Sequence, residues 1–253
     1  MSNYENQPRY GGAVARGAAG AIDAGLRAHM LRVYNYMTIG LVLTGVFAYG
    51  TYALSVVDFV AGRPVFTAFG QALFGGPLMF VVIFAPLALV FYLSFRIDRM
   101  SVGAAQATFW IYAALLGVSL SFIFLAYAAS SITQVFFITA ATFGAMSLWG
   151  YTTSRDLTGI GSFLFMGLIG IVIAMVVNIF LASSALGFAI SIIGVLVFTG
   201  LTAYDTQKIK EMYTVNDDGT VAGRKAIMGA LRLYLDFVNL FLMLLRLFGQ
   251  SRN

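Results

Sequence analysis

Two acidic residues stand inside apolar runs. Asp236 lies within Leu231-Arg-Leu-Tyr-Leu-Asp-Phe-Val-Asn-Leu-Phe-Leu-Met-Leu-Leu-Arg-Leu-Phe248, and Asp205 closes the run from Ile190 to Tyr204. A carboxylate at bilayer depth costs on the order of 2.5–3.5 kcal/mol even on lenient scales, so a residue kept there is a functional-site candidate. If Asp205 and Asp236 meet, both cannot ionise cheaply. They then compete for one proton and form a proton-sensitive pair. Ionised, the same oxygens are hard ligands suited to Ca2+.

Asp236 has polar company on its own helix. At 100° per residue, Arg232 falls about −40°, Asn239 about −60° and Arg246 about −80° from it. Lipid cannot solvate that arc, so it must face protein or water. The simplest arrangement puts the last helix at the centre of a bundle with six others around it. Plainer roles exist for each acid. Arg232 and Asp236 are spaced i, i+4 and could merely neutralise each other, although base before acid is the weaker order. Asp205 could pair with Lys208 at i+3, or cap the chain near the headgroups. Against these, both acids lie roughly 7–10 positions from the same ends of adjoining antiparallel helices, provided the sixth helix runs on towards Tyr213. That sets them at similar depth, about 10–15 Å in.

The elements that must hold these residues are membrane helices. The 253 residues are 60% hydrophobic and only 10% charged, where a soluble domain carries about a quarter. The 27 Gly and 4 Pro suit closely packed membrane helices. With no Cys, disulfides, thiol nucleophiles and Cys-ligated metals are excluded. The one histidine, His29, precedes the first apolar span, which argues against a histidine metal centre or a Ser-His-Asp triad. The net charge of +5 is spread over loop ends and forms no basic stripe, so no nucleic-acid partner is expected.

About 20 apolar residues cross the hydrocarbon core. Seven runs qualify: Tyr36–Val57, Pro77–Phe95, Ala107–Ala129, Val135–Tyr151, Ser162–Ala182, Leu186–Tyr204 and Ile227–Phe248. The sixth is expected to continue as helix through Lys210. The fold class is therefore all-α, a polytopic membrane protein of seven transmembrane helices, with a tail over 1–28 and the helical domain over 29–250. No removable signal peptide is expected in the tail. Ile22, Leu26, Met30 and Val33 recur at helical spacing beside Arg27 and Arg32, which fits either a short interfacial helix or a frayed helix end after a disordered tail.

Basic residues favour one side. Arg9, Arg16, Arg27 and Arg32 precede the first span. Arg96, Arg99, Arg155, Lys208, Lys210, Arg224 and Lys225 fall in loops on that same side, against Arg63 alone on the other. The positive-inside rule then makes the N-terminus cytoplasmic. Seven full crossings put Arg246 and Arg252 outside; a last helix that dips and returns puts them inside.

Several phrases resemble one family. Gly200-Leu-Thr-Ala-Tyr-Asp-Thr-Gln-Lys-Ile-Lys210 is similar to the C-terminal signature of the Bax inhibitor-1 family. Gly117-Val-Ser-Leu-Ser-Phe-Ile-Phe124, Ser147-Leu-Trp-Gly-Tyr-Thr-Thr-Ser-Arg-Asp-Leu157, Gly161-Ser-Phe-Leu-Phe-Met-Gly167 and Tyr234-Leu-Asp-Phe-Val-Asn-Leu-Phe241 resemble its bacterial members, in order on separate helices. The resemblance covers about residues 25–250. It implies six helices around a central seventh, the inner (plasma) membrane of a bacterium, and a pH-sensitive calcium leak with no enzymatic activity and no cofactor. Ca2+ and H+ are then the species handled, with Ca2+ permeant or transiently bound. By motif, the gating aspartates map to Asp205 and Asp236. The resemblance also implies an arginine of the second helix as a latch on the first aspartate. Arg96, in Phe91-Tyr-Leu-Ser-Phe-Arg-Ile-Asp-Arg99, is the nearest candidate; no motif fixes it, and Arg99 and Arg232 are alternatives. Asn239 and Arg246 complete the candidate polar stripe.

Three other functions compete. Some bacterial relatives look like non-catalytic modulators of membrane-protein quality control acting on a membrane-anchored protease, which needs a binding surface and no pore. An intramembrane aspartyl protease would match Tyr204-Asp205, but Leu233-Tyr-Leu-Asp236 lacks the two glycines such enzymes carry there, and no proline follows Pro86. A retinal protein fails because the last span holds no lysine; Lys225 precedes it. Among minor features, Asn178 is expected to bond a neighbouring helix, and Arg155 with Asp156 to form a loop ion pair. Asn216-Asp-Asp-Gly219 opens like a calcium loop but lacks the later glutamate, so it reads as a solvated turn.

Overall fold

The computed structural model describes residues 10–60 and 63–252, with backbone alone over 10–23. Seven of its helices are long and apolar enough to cross a membrane, in the order expected. The first span belongs to α1, Tyr10–Ser55, one continuous helix whose membrane-length apolar part is Ala24–Ser55. The boundary drawn at 28/29 thus falls within a helix. Residues 1–9 of the expected tail, Arg9 among them, lie outside the described residues, as do the side chains of Arg16 and Ile22.

Beyond α1 the chain does something the all-helical reading did not include. β1, Val56–Val60, pairs antiparallel with β2, Arg63–Phe66, before the short α2, Ala68–Gly75. The Thr67 hydroxyl caps α2 by accepting from Gly70 N at 3.0 Å. The second span is α3, Leu78–Arg96, extended by a 3-10 turn through Arg99. The third is α4, Val102–Leu120, capped by Ser101 and followed by the one-turn α5, Ile123–Ala126. The fourth, fifth and sixth are α6, Ala129–Thr152; α7, Thr158–Leu181; and α8, Ser184–Glu211. The seventh is α9, Gly219–Phe248, whose N-cap Asp218 accepts from Val221 N at 2.7 Å.

The short links enforce antiparallel neighbours. α7 ends on Ala182 in the left-handed conformation (φ 47°), and the Asn178 side-chain oxygen accepts from Ser183 N at 3.0 Å. Asn178 thus ties the end of α7 to the N-cap residue of the neighbouring α8, and its amide nitrogen lies against Gly187 of that helix. The amide satisfies a backbone donor left free by the turn.

α9 is the interior helix. In its most apolar stretch 72% of residues are buried, against 11% for α3 and α7. Its principal neighbours are α1, α4, α6 and α8. α3 packs on α4, and α7 on α8, so the second and fifth spans stand largely outside the inner group. Among the described residues, four helices lie closest to the seventh. The outer faces of α3 and α7 carry Phe80, Phe84, Phe95, Phe163, Ile173 and Phe180, all exposed. Lipid tails solvate such faces as well as a protein core would.

α9 crosses completely. Past its end, Arg252 N donates to Ala126 O at 3.0 Å and Ala128 N to Gln250 O at 3.0 Å. The Arg252 guanidinium covers the Phe59 ring at 4.1 Å, and Tyr52 at 5.5 Å. The C-terminus is thus pinned beside the far end of α1, opposite the α8–α9 loop. The last helix does not dip and return, and Arg246 and Arg252 lie on the side of the β1–β2 hairpin.

Candidate functional site

α8 and α9 run antiparallel as the closest pair in the bundle. Their rungs are readable: Gly194 faces Met243, and Gly229 faces Ile209. Asp205 and Asp236 fall on the rung between. Asp205 is six residues from the end of α8, which runs on past it as expected. The first turns of α9 reach beyond that end and rest on the α3–α4 connection, where Arg224 Nε donates to Met100 O at 2.7 Å.

Asp205 and Asp236 border a common space between α7, α8 and α9. They line one cavity of ≈ 660 Å³ together with Arg232 and Asn239 of α9, Tyr204 of α8, and Gly161, Ser162 and Phe165 of α7. Asp205 is half-buried, whereas Asp236 is only 5% exposed. Asp236 Oδ2 is buried with no hydrogen-bond partner among the described residues. Two ionised carboxylates are acceptors only. A proton lying between them lets one carboxyl group donate to the other.

The plainer roles for these acids are not taken up. Lys208 does not pair with Asp205; its ammonium donates to Glu211 at 2.7 Å and to Thr158 Oγ1 at 2.9 Å. Arg232 makes no ion pair within 4 Å with Asp236 among the described residues, although it lines the same cavity. It holds an exposed position at the cavity rim.

Asn239 lines the cavity as well; its amide nitrogen donates to Leu235 O at 2.8 Å. Two expected residues are elsewhere. Arg246 is exposed about 15 Å further along α9 at 1.5 Å per residue and does not line the cavity. Arg96 is exposed at the end of α3, which is not a principal neighbour of α8 or α9, so it is not brought to Asp205.

Close backbone approach builds the site. A Cβ on Gly161 would overlap the Tyr204 ring, and one on Gly150 would collide with the Ala203 carbonyl. These two glycines let α7 and α6 press against the α8 segment that carries Asp205. Gln207, two residues on, staples the α6–α7 loop to the same segment. Its Oε1 accepts from Leu157 N at 2.9 Å and its Nε2 donates to Arg155 O at 2.8 Å.

On the other flank a hydroxyl chain joins three helices: Tyr34 Oη to Ser147 Oγ at 2.6 Å, Ser147 Oγ to Thr206 Oγ1 at 2.9 Å, then Thr206 Oγ1 to Thr202 O at 2.7 Å. Sequence reasoning missed Gln207 and this chain. Thr202, Thr206 and Gln207 share one phrase with Asp205, whereas Tyr34 and Ser147 carried no such signal.

The loop features resolve into structural roles. Asp156 accepts from Thr158 N at 2.8 Å, and Arg155 and Asp156 form no ion pair within 4 Å among the described residues. Asp217 pairs with Lys225 at 2.6 Å while Asp218 caps α9, so the Asn216–Gly219 cluster is a capped turn. Among the described residues no three His, Cys, Asp or Glu side chains cluster as metal ligands. A Ca2+ ion takes 6–8 oxygens, so one at the aspartate pair would draw most of its ligands from water.

Known proteins match this chain along its length. The family model described as inhibitor of apoptosis-promoting Bax1 matches residues 26–253. An uncharacterized protein of Rickettsia prowazekii is 49% identical over 231 residues, covering 91% of this chain and 93% of that one. Inner membrane protein YbhL of Escherichia coli is 50% identical over 232 residues, covering 90% and 94%. An uncharacterized protein of Caulobacter vibrioides is 45% identical over 235 residues, covering 92% of each. With seven membrane-length helices and this extent of similarity, the chain is a membrane protein that belongs to the Bax inhibitor-1 family.

Proposed function

We propose that the protein is a pH-sensitive calcium leak of a bacterial inner membrane, gated by the Asp205–Asp236 pair. One observation carries the reading: two carboxyl groups from adjoining membrane helices meet in a single cavity, one of them with a buried oxygen that has no hydrogen-bond partner among the described residues. Its cost is justified when protonation does work. With the proton in place the pair holds α8 and α9 together. Without it, like charges at close range push the helices apart and supply oxygen ligands to a hydrated cation. The chemistry needs no covalent step and no cofactor, so the activity is transport rather than catalysis. Arg232, at the rim of the same cavity, is the residue placed to bias the pair. The bilayer, H+ and Ca2+ are the partners this role requires. The inner-membrane location follows the name of the Escherichia coli relative, and the cytoplasmic N-terminus follows the distribution of basic residues.

The test is Ca2+ flux into liposomes holding the purified full chain, measured across pH with a trapped indicator. Wild-type protein is expected to pass Ca2+ with a pH dependence that Asp205→Asn and Asp236→Asn each flatten. Flux no greater than in protein-free liposomes sinks the leak. A stoichiometric membrane-protein partner recovered by cross-linking in native membranes would then favour the non-catalytic regulator.

A further inference from the structure

A second sizeable cavity lies away from the aspartates, in a seam between α1 and α6. Both helices pack on α9, yet they are not principal neighbours of each other. The crevice has a volume of ≈ 680 Å³, within the roughly 300–1,000 Å³ of ligand clefts. Its walls are apolar, with Met30, Met37 and Leu41 on one side and Ala140 and Phe143 on the other. Phe237 of α9 forms the floor, edge-on to Phe136 and Phe143 at 5.5 Å. A smaller cavity of ≈ 100 Å³ shares Leu41, Phe136 and Phe237 and extends the seam towards Phe124.

With Thr38 alone further along, polar side chains gather towards one end. Arg27, Tyr34, Ser147 and Tyr151 sit there, and the Lys210 ammonium lies 5.5 Å from the Tyr151 ring and donates to Tyr151 O at 2.9 Å. From Arg27 to Leu41 the helix covers about 21 Å at 1.5 Å per residue, more than half the roughly 30 Å hydrocarbon core. The seam is therefore long, dry and open along its flank, with positive charge at its headgroup end.

We infer that the seam between α1 and α6 holds one acyl chain of an anionic phospholipid, with the headgroup phosphate against Arg27. Charge complementarity selects this occupant. A zwitterionic lipid gains less from Arg27 and Lys210, and a partner helix, wider than a single chain, would have to displace the Tyr34–Ser147 hydrogen bond that crosses the crevice. The inference does not depend on ion conduction, because it concerns a different face of α9.

Native mass spectrometry of the full chain, released from nanodiscs of equal phosphatidylglycerol and phosphatidylethanolamine, tests it. Wild-type protein is expected to retain one phosphatidylglycerol per chain, with about a five-fold preference per basic residue at the headgroup. Gly144 lines the crevice, and a Cβ there meets nothing within 4 Å. Gly144→Phe therefore fills the seam and is expected to abolish retention. Gly170→Phe, on an exposed helix face where a Cβ also meets nothing, leaves it intact. Arg27→Gln is expected to cut the preference about five-fold and Arg27→Lys to keep it, an arm that decides the matter even if Gly144→Phe fails to fold. Equal retention in all variants overturns the inference. So does a dimer that Gly144→Phe converts to monomer, since a second copy would then own the seam.

Discussion

Asp236 and Phe237, adjacent on α9, line opposite cavities: the carboxyl group faces Asp205 between α7 and α8, while the aromatic ring floors the crevice between α1 and α6. Successive helical residues diverge by 100°, so one turn of the central helix bears on both flanks of the bundle. Any displacement of α9 that separates the acids must also shift the ring.

The placement of the arginines separates two candidate latches. Arg232 lines the aspartate cavity and Arg96 does not. Arg232→Gln is expected to move the pH midpoint of Ca2+ flux, while Arg96→Gln leaves it within experimental error. Liposome flux across pH for both variants checks this. A shift with Arg96→Gln alone would return the latch to the second span.

Two glycines of α6 should respond in opposite ways. Gly150→Ala drives a methyl group into the Ala203 carbonyl and is expected to destabilise by about 1–3 kcal/mol, as overpacking does. Gly144→Ala meets open space, and gains about 0.5–1 kcal/mol from helix propensity. Thermal unfolding in detergent distinguishes them; a neutral Gly150→Ala would show that α6 and α8 are less tightly apposed than they are here.

Gln207 is buried, and its two hydrogen bonds hold the α6–α7 loop. Gln207→Leu leaves Leu157 N and Arg155 O without partners, at about 1–3 kcal/mol for each group that stays dry. The melting temperature is expected to fall, and limited proteolysis to cut first between 153 and 157. Glutamate at this position keeps the bond from Leu157 N and loses the donor to Arg155 O, so its penalty should be intermediate.

Asp156, fully exposed in that loop, is held below the ordinary carboxylate value by its bonds from Thr158. A carboxyl whose folded-state value is depressed stabilises the fold above its unfolded value, 3.8, and loses that contribution as pH falls through the folded one. The melting-temperature difference between wild type and Asp156→Ala should therefore be constant from pH 5 to 8 and shrink below about pH 4. A difference that grows on acidification would contradict the bond to Thr158.

Much was legible in the residues alone. Seven apolar runs of membrane length announced seven spans, because hydrocarbon admits little else. Asp205 and Asp236 were conspicuous because charge at that depth is costly, and the 100° periodicity put Arg232 and Asn239 beside Asp236. What periodicity along a single helix cannot encode is which helices meet. Only the tertiary structure aligned Asp205 with Asp236, gave Lys208 to Glu211, left Arg96 outside the site, and set α1, α4, α6 and α8 as the principal neighbours of α9. It alone decided that α9 crosses fully, since Arg252 reaches Phe59 through packing that has no local signature. Uniformly apolar helices carry little information about their own faces, because lipid and protein interior present them with nearly the same solvent; the choice between the two is made by shape, and shape belongs to the assembled bundle.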